Sequence, residues 1–98
     1  MVLLSEKIMQ LDSELPLCLT PGHRLQWEAA QQKYVILYPE GMVELNLSSA
    51  EIIKACDGQR RVADIIQYLE QLFNAQNLTN DITHFLYIAL QNGWIKHC

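Results

Sequence analysis

Apolar and polar residues alternate from His23 to Glu28, with Leu25 and Trp27 on one side and Arg24, Gln26 and Glu28 on the other. That period of two predicts a half-buried strand. Tyr34 to Tyr38 (YVILY) is apolar throughout and rich in β-branched and aromatic residues, as suits a central strand covered on both faces. Pro39-Glu40-Gly41 follows. Proline presets φ at the first corner and glycine can close a short hairpin. Met42 to Leu47 returns as a third strand. Three consecutive strands with short loops predict an antiparallel meander whose first and third strands keep unpaired edges.

The second half changes period. Ser48, with Glu51 three residues on, has the capping-box spacing and predicts a first helix to about Cys56, closed by Gly58. A second helix over Val62 to Phe73 places Val62, Ile65, Ile66, Leu69, Leu72 and Phe73 on one side, against Asp64, Gln67, Glu70 and Gln71. A third, about Asn80 to Asn92, has Ile82, Phe85, Leu86 and Ala89 on one face, and Tyr87, Ile88 and Leu90 widen the apolar arc beyond what one partner surface covers. Gly93 ends it, and Trp94 with Ile95 folds back as an apolar anchor. Before the meander, Met1 to Thr20 shows only loose periodicity in Ile8, Leu11 and Leu15, and is expected to be mobile or draped. The predicted fold is α+β: a lead over residues 1–20, then one domain over residues 21–98. That domain is a three-stranded antiparallel meander followed by three helices, winged helix-turn-helix-like with its sheet first.

Composition narrows the function. Half the residues are apolar and 18% charged, as in ordinary globular domains. The formal charge of −4 has the wrong sign for wrapping phosphate backbones or anionic lipid. No run approaches the ~20 apolar residues of a membrane span, and the opening residues lack a signal-peptide pattern. Cys18, Cys56 and Cys98 are odd in number and widely spaced; neither a disulfide framework nor a CxxC site is expected, and a reducing cytoplasm fits. His23, His84 and His97 have no paired ligand spacing, so no metal, cofactor or catalytic residue is assigned. Cys56 reads as a small buried apolar residue, Trp27 and Trp94 as core, and Arg60 and Arg61 as a solvated turn. The features left over are the exposed third strand and the over-wide third helix. They fit peptide capture, a dimer interface or full burial equally well.

Particular residues carry a more specific signal. Pro21-Gly22, Arg24 to Glu28 (RLQWE), Gln31, Tyr34-Val35, Leu37 to Gly41 (LYPEG), Leu45-Asn46, Asp57-Gly58 and Gly93-Trp94 together resemble the PqqD family of pyrroloquinoline quinone biosynthesis proteins, over about Pro16 to Ile95. RLQWE and LYPEG are the specific part, since a generic winged helix has no reason to carry both. Arg61 departs from the family, which usually has a helix-capping threonine there.

The resemblance implies a protein that binds the precursor peptide PqqA and delivers it to the radical S-adenosylmethionine enzyme PqqE; the sequence leaves open whether it does so as monomer or homodimer. It also implies capture of the peptide as an added strand on the third β-strand, beside the third helix. The site expected is Met42, Val43, Glu44, Leu45 and Asn46 for pairing, with Ile82, Phe85, Leu86 and Ala89 lining a groove. Proline at one of two alternating registers of that strand is expected to block binding. The alternatives are a winged-helix nucleic-acid-binding module, whose recognition helix should be basic, and a structural dimer built on the third helix.

Overall fold

The computed structural model describes residues 11–98, so the part of the lead that contains Ile8 lies outside the described residues. Strands β1 (Leu17–Leu19), β2 (Arg24–Glu28), β3 (Lys33–Tyr38) and β4 (Gly41–Leu45) precede helices α1 (Leu47–Ala55), α2 (Val62–Phe73) and α3 (Thr79–Gln91), and β5 (Ile95–His97) closes the chain. The expected meander is present as an antiparallel sheet in the order β2-β3-β4. No described helix is long and apolar enough to cross a membrane.

The registers sort the side chains onto two faces. Leu25 lies opposite Ile36 and Trp27 opposite Tyr34, while Ile36 lies opposite Val43 and Tyr34 opposite Leu45. These residues share one face because strand side chains alternate. The helices cover that face: Ile36 and Leu45 join Ala50 and Ile53 of α1, Ile65 and Leu69 of α2, and Ile82, Leu86 and Ala89 of α3 in one core. The other face carries Arg24, Gln26 and Glu28 beside Leu37, Val35 and Lys33. Val35 is fully buried there, which agrees with a central strand covered on both sides.

The lead departs from expectation. Leu17 to Leu19 pairs antiparallel with Ile95 to His97, in a second sheet. Around it, Gly58 N donates to Leu17 O (2.8 Å), Leu17 N to Arg60 O (3.1 Å) and Thr20 N to Trp94 O (2.9 Å). Leu17 is completely buried, a burial that stabilises by ~1.5–3 kcal/mol. This end of the lead is therefore fixed rather than mobile, and the expected anchor at Trp94-Ile95 is the start of a strand. The pairing also joins Cys18 to Cys98 in a disulfide, with Cα atoms 5.9 Å apart across 80 residues of sequence. The expectation that the cysteines stand apart is corrected here: spacing along the chain says nothing of two termini that lie side by side in one ladder. Cys56 is free and buried, as read from the sequence, and burial pushes its thiol up to about 12.

Helix ends differ in detail. The cap of α1 is Asn46, whose Oδ1 accepts from Ser49 N at 2.8 Å, in place of the expected Ser48. Cys56 is the C-cap, leaving Gly58 (φ +88°) to turn the chain back toward β1. At α2, Arg61 contributes no capping oxygen, but Asp64 Oδ2 accepts from its N–H at 3.0 Å. The last turn of α2 overshoots the core and leaves Leu72 and Phe73 exposed.

Candidate peptide-binding site

The β3–β4 hairpin determines what the free side of β4 can offer. Its loop is only Pro39-Glu40, and Tyr38 pairs with Gly41 across it. The pair that closes a two-residue loop exchanges both of its hydrogen bonds, and such pairs then alternate along an antiparallel ladder. Gly41, Val43 and Leu45 therefore bond to β3. Met42 and Glu44 aim their N–H and C=O groups at the open edge. Among the described residues no strand pairs with that edge.

Side chains alternate as well. Val43, half-buried, and Leu45, 8% exposed, point to the helix side of the sheet, whereas Met42 (49% exposed) and Glu44 point to the other face. Glu44 meets Lys33 at 2.9 Å. Both partners are exposed, so the pair adds little stability. Asn46 lies at the strand's exit, with its side chain committed to the cap of α1. Beside this end a cleft of about 440 Å³ is lined by Gln32, Lys33, Glu44, Leu45, Asn46 and Leu47. Leu47, 65% exposed, was not among the expected site residues: the third strand was expected to run through it, whereas the strand ends at Leu45 and Leu47 opens α1.

Three of the four α3 residues expected at the site are closed off. Ile82, Leu86 and Ala89 are 3%, 0% and 0% exposed and belong to the core. A guest side chain cannot touch them without opening the domain. Phe85 alone of the four keeps accessible surface, with its ring 6.4 Å from that of Trp94. The wide apolar arc of α3 is covered by α1, α2 and β5 together, rather than left for a ligand. Only Tyr87 remains exposed among its large apolar residues.

An aromatic group across the sheet from Leu45 was also read differently. Trp27, expected in the core, is 43% exposed and packs edge-on against Tyr34 at 4.9 Å. Lys54 of α1 sits over the Tyr34 ring and bonds its hydroxyl at 2.9 Å. The Tyr34 hydroxyl, with a smaller contribution from Glu51, raises Lys54 above its ordinary value.

The sequence profile described as coenzyme PQQ synthesis protein D matches residues 33–95. The chain is 48% identical over 88 residues to the PqqA binding protein of Methylococcus capsulatus, covering 90% of this chain and 95% of that one. It is 53% identical over 75 residues to the PqqA binding protein of Acinetobacter baylyi, covering 76% of each. Its structure is similar to the solution structure of the PqqD truncation of Methylobacterium extorquens PqqCD, described as a stand-alone recognition element for ribosomally synthesized, modified peptides. The TM-score is 0.75 at 25% identity, over 92% of this chain and 98% of the other.

Proposed function

The chain belongs to the PqqD family, and from that premise we propose that it is a non-catalytic chaperone of pyrroloquinoline quinone biosynthesis, which binds the precursor peptide PqqA and presents it to the radical S-adenosylmethionine enzyme PqqE. The order of meander and three helices supports a winged helix-turn-helix-like architecture. The observation that carries the binding mode is the open edge of β4, where Met42 and Glu44 present unpaired backbone groups.

In this reading a segment of PqqA adds to β4 antiparallel. Guest residues opposite Met42 and Glu44 exchange hydrogen bonds with the edge. Those opposite Val43 and Leu45 direct side chains to the helix side, toward Phe85. About four bonds at ~0.5–1.5 kcal/mol net do not offset an association cost of ~4–15 kcal/mol. Two or three buried guest side chains, at ~1.5–3 kcal/mol each, bring binding into a useful range. Selectivity then lies in the apolar anchors, and strand pairing sets direction.

Amide NMR titration with the precursor peptide tests this. Shifts are expected over Met42 to Asn46 and around Phe85. Shifts confined to α2 reject the edge. Pull-down of PqqA and PqqE, singly and jointly, tests presentation.

A further inference from the structure

Gly41 interrupts the row of side chains that β4 turns toward the helices. The other members of that row are filled, Val43 by a half-buried side chain and Leu45 by an almost wholly buried one. Gly41 itself is bare backbone, at the end of the strand nearest the hairpin loop. Its partner across the ladder is Tyr38 of the LYPEG motif, which the edge-pairing reading leaves without a role.

The Tyr38 ring reaches across to the space that the glycine leaves. A β-carbon at Gly41 would lie 3.7 Å from Tyr38 Oη and 3.9 Å from Cε2 and Cζ, which is ordinary van der Waals contact. The ring is held in place by His23, whose own ring stacks on it with centroids 5.3 Å apart and planes inclined by 17°. Tyr38 is only half-buried, so part of the ring still meets water. An aromatic row thus runs from His23 through Tyr38 and stops at Gly41, beside the free side of β4.

We propose that Gly41 and Tyr38 form a subsite for one aromatic side chain of the guest peptide. The proposal rests on the β4-edge reading above and adds to it the chemical class of one anchor. Met42 and Glu44 exchange hydrogen bonds with the guest, so the guest residue opposite Gly41 sits in a non-hydrogen-bonded pair, whose Cα atoms approach to ~4.5 Å. With no side chain on the glycine, the guest side chain there crosses the β4 backbone and meets the Tyr38 ring. A long, flat side chain does both things at once: it covers the glycine and touches a ring one strand further on. Aromatic pairs in edge-on or offset geometry also attract beyond the area they bury. Because the guest runs antiparallel, this residue follows the one opposite Val43 by two positions and the one opposite Leu45 by four. The guest segment therefore carries apolar anchors at i and i+2 and an aromatic residue at i+4.

Calorimetric titration of the full chain with the precursor peptide, and with versions in which each aromatic residue in turn is leucine, tests the subsite. One such replacement should weaken binding to the wild type roughly twofold to twelvefold. The same replacement should leave binding to Tyr38→Leu almost unchanged, because that variant has already lost the ring. Comparing peptides on one variant cancels any effect of Tyr38→Leu on the fold. Tyr38→Phe keeps the ring and should respond to the replacement as the wild type does. In the wild-type complex, nuclear Overhauser contacts should join the same guest ring to the Tyr38 ring. If no aromatic position of the guest is coupled to Tyr38, or if the coupled ring makes no such contact, the subsite is overturned; amide shifts over Met42 to Asn46 in the same complex then show the edge still in use. If those shifts are missing as well, the edge reading falls and the subsite falls with it.

Discussion

Glu44→Pro separates the backbone of the β4 edge from every other contribution to guest binding. The Glu44 N–H points away from β3, so proline there deletes no bond of the resident sheet. An outward-facing edge position is where strands tolerate proline. The preceding Val43 is already extended, as a residue before proline must be. The guest loses one of about four backbone bonds, ~0.5–1.5 kcal/mol net, which raises Kd roughly twofold to twelvefold. The substitution also removes the Lys33–Glu44 ion pair, and Glu44→Ala controls for it: both side chains are exposed, and the alanine variant should bind within about twofold of wild type. Val43→Pro is the opposite case, because it removes the bond to Ile36 inside the sheet; it should lower the thermal midpoint strongly, while Glu44→Pro changes it little. Calorimetric titration with the precursor peptide at fixed salt, paired with thermal unfolding, measures both effects. If Glu44→Pro binds as tightly as Glu44→Ala, the guest does not use this edge. If it unfolds the protein as Val43→Pro does, the hairpin register assigned above is wrong.

Four further outcomes follow from the same structure. Leu86→Ala should cost ~2–5 kcal/mol of stability in chemical denaturation, because the side chain is wholly inside the core, whereas Phe85→Ala should weaken the precursor peptide more than it weakens the fold. Asn46→Ala should destabilise by ~1 kcal/mol through loss of the bond to Ser49 N, which thermal unfolding will register. Reducing the Cys18–Cys98 bond, or Cys98→Ser, should lower stability by as much as ~4 kcal/mol for a loop of this length, with β1 still paired to β5; amide exchange on both strands checks the pairing. Burial raises the Cys56 thiol from 9.0 to about 12, so the folded state holds this proton when the unfolded chain has released it. The stabilisation from that difference is complete below pH 9 and is lost between 9 and about 12, with a slope approaching ~1.4 kcal/mol per pH unit. Comparison with Cys56→Ala across that range isolates it.

The elements that rest on local periodicity were legible from residues alone. The alternation of RLQWE, the unbroken YVILY run and the Pro39-Glu40-Gly41 turn give three strands, and the stripe of α2 gives its limits, Val62 to Phe73, without adjustment. Each such pattern is set by neighbours a few positions away. The open edge of β4 follows from the same logic, since a meander must leave its outer strands unpaired. Non-local contacts decided the rest. Leu17 to Leu19 is too short to announce itself as a strand, and becomes one only because β5 lies alongside it; the same closure brings Cys18 to Cys98. The apolar arc of α3 told how much surface must be covered, but not by what: α1, α2 and β5 take up Ile82, Leu86 and Ala89, which the groove was expected to use. Trp27 was in phase with Leu25 and yet stands at the rim, because the helices cover Leu25 and stop short of its neighbour two residues on. Periodicity assigns a side chain to a face; only the packed partner determines whether that face, at that residue, is closed to water.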